Sequence, residues 1–213
     1  MTDQTESHVT IPVDGVRLDG ELLVPDEAPG LVVFAHGSGS SRRSPRNQFV
    51  AETLREHGLG TLLFDLLSEE EDRTPETRFD IELLTDRLLA ATDWLRDREA
   101  TGESSIGYFG SGTGAAAALR AAAERDGDIG AVVSRGGRVD LASSRLPAVT
   151  APTLLIVGGA DADVLERNRA ALRDLTCQKE LAVIEGAGHL FEGPGELREV
   201  AELAATWFET HLS

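Results

Sequence analysis

One feature constrains the fold of this chain more than any other: an alternation of two hydrophobic periods. Short, continuously apolar runs recur along it: "GLVVFAHG" (30–37), "GTLLFDLL" (60–67), "SIGYFG" (105–110), "IGAVVSRGG" (129–137), "PTLLIVGG" (152–159) and "ELAVIEG" (180–186). Runs with no polar alternation suit strands buried on both faces, the condition of a parallel sheet. Between them lie segments of helical period. One places Ile81, Leu84, Leu88, Ala91 and Leu95 on a single face, and another covers 164–175. A third, at the end of the chain, does the same with Leu197, Val200, Ala201, Ala204, Phe208 and Leu212. The alternation predicts an α/β fold, with a mostly parallel central sheet flanked by helices. Before it, "HVTIPVDGVRLDGELLV" alternates in-out and turns at Asp14-Gly15, which predicts a short N-terminal β-hairpin.

Punctuation supports these boundaries. Ser44 reads as a helix N-cap, Pro45 as the first helical residue and Gly58 as the stop. Gly127 closes the helix of "AAAALRAAAERDG". The acidic stretch "SEEEDRTPET" reads as a solvated loop, with Thr74-Pro75 as the next helix start. With 213 residues and no internal repeat or long linker, the chain is expected to form a polar tail (1–7) and one α/β domain (8–213).

Charge and cysteine content narrow the function classes. Asp and Glu number 37 against 20 Lys and Arg, a net charge of −17. Such a surface repels polyanions, so neither nucleic acid nor an anionic membrane is expected as a partner. Lys179 is the one lysine. Excess acid with arginine as the cation points to adaptation to high salt, where screening suppresses self-repulsion. No apolar run approaches the roughly 18 residues of a membrane span, and "MTDQTESHVT" has no apolar core of a signal peptide. Cys177 is alone, which excludes an internal disulfide and suits a reducing cytoplasm. A monomer or homodimer without cofactor or metal is expected.

In α/β sheets ligands bind beyond the carboxyl ends of the strands, and there the informative residues lie. After the first buried run comes His36-Gly37-Ser38-Gly39-Ser40-Ser41, a turn that can expose backbone N–H groups to an anion. After "SIGYF" comes Gly110-Ser111-Gly112-Thr113-Gly114. This is the frame of a nucleophile elbow, Gly-x-Ser-x-Gly, in which the flanking glycines let strand and helix approach. The following helix N-terminus would aim the Thr113 amide at a developing oxyanion. The apex, where serine is expected, is Gly112. Asp161 and Asp163 follow the strand ending at Gly159, and His189 follows the last strand. Elbow, acid, histidine is the α/β-hydrolase chain order.

These stretches, with "VVSRGGRVDLA", "TLLIVGGADADVLERN" and "GAGHLFEGPGEL", resemble the dienelactone-hydrolase-like branch of the α/β-hydrolases over nearly the whole chain. The resemblance implies that fold, a Ser/Asp/His or Cys/Asp/His triad, and a small ester, lactone or thioester as substrate. Position by position it makes Asp161 the acid, His189 the base, Gly37, Ser38 and Thr113 the oxyanion donors, and Gly112 the nucleophile position. Glycine has no hydroxyl, and losing a triad nucleophile lowers turnover by a factor of about 10⁶.

Three readings of the gap stay open. Ser111 could substitute, although that register puts Phe109 where a tiny residue is needed. The chain could bind a ligand without catalysis. Or 110–115 could serve as a Gly-x-Gly-x-x-Ala dinucleotide fingerprint, although such fingerprints open the first βαβ unit and this one comes later. Arg42, Arg43 and Arg46 follow the first turn, and Arg135 and Arg138 follow a neighbouring strand. Of these, Arg42 and Arg135 are candidates to bind an anionic group on the substrate.

Overall fold

The computed structural model describes residues 7–213 and, of the expected polar tail, leaves 1–6 outside. Ser7 already belongs to the first strand, so the described chain is in regular structure from its first residue. The hairpin forms as expected: β1 (Ser7–Val13) and β2 (Val16–Leu23) pair antiparallel, with Asp14 and Gly15 at φ 45° and 81° in the turn. Six strands follow: β3 (Gly30–Ala35), β4 (Gly60–Phe64), β5 (Ser105–Ser111), β6 (Ile129–Arg135), β7 (Thr153–Gly158) and β8 (Lys179–Ile184). Together the eight form one sheet in the order β1-β2-β4-β3-β5-β6-β7-β8. Pairing is antiparallel from β1 to β4 and parallel from there on. The central strands β3, β4, β5 and β7 lie within the protein along almost their whole length, which is why their sequences do not alternate.

Helices cover both faces. Apolar residues of α4 (Ile81–Arg96), α5 (Thr113–Glu124) and α6 (Ala162–Asp174) join one core with Leu31, Val33, Tyr108 and Val132 of the sheet. Residues of α1 (Pro45–Glu56) and α7 (Glu196–His211) join the other, with Val32, Phe34, Phe109 and Val133. Ser44 caps α1 by accepting from the Asn47 amide, and Gly58 leaves it at φ 84°.

Two boundaries differ from expectation. The acidic stretch is not plain loop. Ser68 and Glu71 form a reciprocal capping box at the start of a short α2 (Glu69–Asp72), and the Glu71 carboxylate also accepts from both Nη1 and Nη2 of buried Arg87 on α4. Thr74-Pro75 does start a helix, but only the single turn α3 (Pro75–Arg78). The apolar-faced helix starts afresh at Ile81, with Asp80 capping the Leu83 amide. A 3-10 segment over Val139–Ala148, not foreseen in the sequence, packs between α5 and α6.

Candidate active site

The site is assembled at the carboxyl ends of β3, β5, β6, β7 and β8, around a cleft of about 610 Å³. Its centre is the β5–α5 junction. Gly112 stands there with φ 55° and ψ −126°, a conformation favourable to glycine and strained for other residues. The flanking glycines are fixed by close approach. A Cβ on Gly110 would lie 2.5 Å from the Ala115 Cα, and one on Gly114 would lie 2.1 Å from the Ala35 carbonyl oxygen. A Cβ on Gly112 would meet only the Gly37 Cα, at 3.5 Å, and would open into the cleft. The backbone thus has the shape of an elbow around an apex without a side chain.

The two donor turns are tied together. The Ser38 amide donates to the Thr113 hydroxyl at 3.0 Å, and Gly37 passes the elbow so closely that a Cβ would sit 3.1 Å from the Ser111 carbonyl. The Thr113 amide, in the first turn of α5, has no carbonyl below it in the helix and Gly112 gives it no side-chain cap. His36 anchors this turn from beneath. Its Nε2 accepts from the Leu66 amide at 3.0 Å and its Nδ1 faces the Gly37 carbonyl at 3.0 Å. That pairing requires the neutral ring protonated on Nδ1. Burial holds the His36 pKa below the ordinary value, against the opposing pull of the Gly37 carbonyl and Asp65.

Across the cleft, Nδ1 of His189 is 2.7 Å from Oδ2 of Asp161. A carboxylate accepts, so Nδ1 carries a proton, and in the neutral ring Nε2 then keeps a lone pair. Asp161 occupies the N-cap position of α6, yet its side chain makes no cap bond, being turned to His189 instead. Asp163 lines the same cleft without reaching His189. Ser111 also lines it, nearly buried, and makes no hydrogen bond to His189 among the described residues.

The candidate arginines separate. Arg42 donates to Asp65 through both its backbone amide and its guanidinium, and lies in a neighbouring cavity rather than this cleft. Arg135 ends β6 directly opposite Ser111 and lines the cleft. Burial pushes its pKa down to about 10, with Arg46 as the second cause. Two further features went unnoticed in the sequence. Gly136, at φ 52°, lies beneath the histidine, where a Cβ would come within 3.3 Å of His189 Cε1. The Arg138 amide donates to the Gly112 carbonyl at 2.9 Å and so pins the apex. The Gly136-Gly137 pair after a strand was the available signal for a close approach. Among the described residues, no group of three or more His, Cys, Asp or Glu side chains is placed to hold a metal ion. No helix of the described chain is long and apolar enough to cross a membrane.

The model of the dienelactone hydrolase family matches residues 18–212. The chain belongs to that family. It is 54% identical to a dienelactone hydrolase from Anabaena variabilis known from a crystal structure, with a TM-score of 0.96 and 99% of each chain covered. Est1E from Butyrivibrio proteoclasticus shares the fold at a TM-score of 0.81 and 18% identity, covering 95% of this chain and 98% of that one. A Mycobacterium tuberculosis protein with the provisional name phosphoribosyl transferase is 52% identical over 207 residues, which are 97% of this chain and 47% of that protein. The chain therefore spans about half the length of this curated relative.

Proposed function

We propose that the cleft is a cofactor-free hydrolytic site for a small carboxylic ester, lactone or thioester, working slowly because no side chain at 112 can form an acyl-enzyme. The observation that carries this reading is the His189–Asp161 pair at 2.7 Å, sharing a cleft with an elbow whose apex is bare. In such a site the nucleophile is a water above Gly112. It attacks the acyl carbon while Nε2 of His189 takes its proton. The oxyanion that forms accepts from the Thr113 amide and from the turn at Gly37 and Ser38. As the intermediate collapses, His189 returns the proton to the departing oxygen or sulfur, releasing acid and alcohol or thiol. Asp161 holds the ring tautomer and stabilises the imidazolium between the two steps. The transferase name of the mycobacterial relative is not carried over, because about half of that protein lies outside the match.

A second reading, ligand binding without turnover, is favoured by the arginines around the cleft. The hydrolytic site is tested by comparing the chain with Gly112→Ser, using an activated ester and a serine-reactive fluorophosphonate, and the two readings are separated by whether the unaltered chain itself turns the ester over. Labelling only in the serine variant, with a large gain in ester hydrolysis, supports the hydrolytic site. Equal labelling of both would move the nucleophile to Ser111, and none in either would overturn the hydrolytic reading.

A further inference from the structure

In a chain this acidic, several arginines are paired with carboxylates. Arg42 pairs with Asp65, Arg87 with Glu71, Arg96 with Asp128, Arg125 with Asp93 and Asp128, Arg138 with Asp140, and Arg46 with Glu192. Arg135 is the contrast. It is largely buried, its Nη1 is closed off from solvent without a hydrogen-bond partner, and the charged group that acts on it is another cation, Arg46. Desolvating a guanidinium without a counter-charge destabilises the fold. Burial lowers its pKa to about 10, which still leaves it charged at neutral pH. The cation is therefore present, enclosed and uncompensated, one strand away from the elbow.

The rest of the cleft adds to the charge. Arg167 on α6 lines it, exposed to solvent, and makes no hydrogen bond or ion pair among the described residues. Asp140, whose charge acts on it, already receives both Nε and Nη2 of Arg138. Of the acidic groups lining the cleft, Asp161 is engaged by His189 and Asp163 is exposed. Two guanidinia without ion-pair partners, Arg135 enclosed and Arg167 exposed, offer about two positive charges to a ligand. A carboxylate brings one negative charge, and a phosphate monoester at neutral pH brings about 1.5 to 2, with three acceptor oxygens. The uncapped first turn of α5 faces the same space, a further favourable field for an anion.

We propose that this cleft takes a small phosphorylated molecule, with its phosphate monoester held by Arg135 and Arg167 and its organic part directed towards Gly112 and His189. The proposal names the substrate class for the site read above as hydrolytic, and rests on that reading for its catalytic meaning, but binding is measured without any turnover. Titration calorimetry of the unaltered chain with glycerol 3-phosphate and inorganic phosphate, against succinate and acetate, is the test. Saturable binding of both phosphates, at least about tenfold tighter than succinate, is expected. Arg135→Met should weaken it at least about tenfold with no fall in melting temperature, since it removes an unpaired buried charge. Arg43→Met, outside the cleft, should leave binding unchanged. If Arg135→Met does not fold, Arg167→Gln supplies the second reading and should weaken phosphate severalfold. No saturable phosphate binding, equal affinity for succinate, or undiminished binding in a folded Arg135 or Arg167 variant overturns the proposal. Failure of the Gly112→Ser chain to hydrolyse esters would leave these binding results untouched, so the two readings fail separately.

Discussion

A serine at position 112 would have to adopt φ near 55° and ψ near −126°, where side chains are strained. Space is no obstacle, because the nearest atom to the new Cβ is the Gly37 Cα at 3.5 Å. Gly112→Ser is therefore expected to cost about 1 kcal/mol of stability while raising ester hydrolysis on the order of 10³-fold or more, read by chemical denaturation and initial rates. His36 carries a prediction of its own. Its folded pKa lies below the unfolded value near 6.5 because of burial. The unfolded chain thus takes up a proton before the folded one does, and stability falls as pH drops below about 6.5. His36→Gln should flatten that part of the stability profile between pH 7 and 5, measured by denaturation midpoints. A profile unchanged by the substitution would contradict the neutral, doubly bonded ring. At this scale the sequence was informative where chain order alone carries meaning: Asp161 and His189 follow the strands that an elbow-acid-histidine order demands. It could not separate Arg42 from Arg135. Arg42 follows one strand and Arg135 ends another, both beside Gly/Ser-containing turns, and only the fold brings Asp65 to one of them and nothing to the other.

Among the elements, the β5–α5 junction depends on two absent methyl groups. A Cβ on Gly114 would lie 2.1 Å from the Ala35 carbonyl and 2.5 Å from that of His36, both rigid backbone. Gly114→Ala should cost about 3 kcal/mol or more, or abolish folding, whereas Gly39→Ala, with open space around it, pays only for its positive φ of 73°. Soluble yield and melting temperature of the pair check this contrast. The second junction is the clamp of α2 on α4. Arg87 is almost fully buried, and its hydrogen bonds hold the Glu71 carboxyl below the usual carboxylate range. Arg87→Met is expected to lose about 2 kcal/mol, below the range for fully buried pairs because Glu71 keeps contact with water. The Glu71 share of the stability is present above the carboxylate range and disappears as pH falls through the depressed value. This clamp explains why 68–80 was misread as loop followed by one continuous helix. Charge density and a Thr-Pro start are local signals. The partner that orders Glu71 lies 16 residues further on, and Asp80 restarts the helix through a cap that the apolar period does not reveal.

For the whole molecule, the decisive quantity is the net charge of −17. The two opposed salt effects can be weighed. Added salt screens the favourable pairs of the arginine network, and most of these are partly exposed, each worth about 1 kcal/mol or less. It also screens repulsion among the carboxylates that have no cation, since 37 acidic residues face 20 basic ones. Compactness raises that repulsion relative to the unfolded chain. At about 0.1 M salt the screening length is about 10 Å, still long enough for neighbouring surface carboxylates to feel one another, and near 1 M it is about 3 Å. The repulsive sum runs over the whole surface, while the attractive one is confined to a few pairs, two of which are shielded from solvent. Repulsion should win, so the melting temperature is expected to rise by several degrees between 0.1 and 2 M KCl. Replacing the paired Asp128 by Asn should lower stability at both salt concentrations, because it strips Arg96 and Arg125 of a shared partner. Replacing the unpaired, exposed Glu69 and Glu70 by Gln should raise stability at low salt and change it little at high salt. A melting temperature that stays flat or falls with KCl would mean that the pairs outweigh the surplus, and the acidic surface would then have no part in salt adaptation.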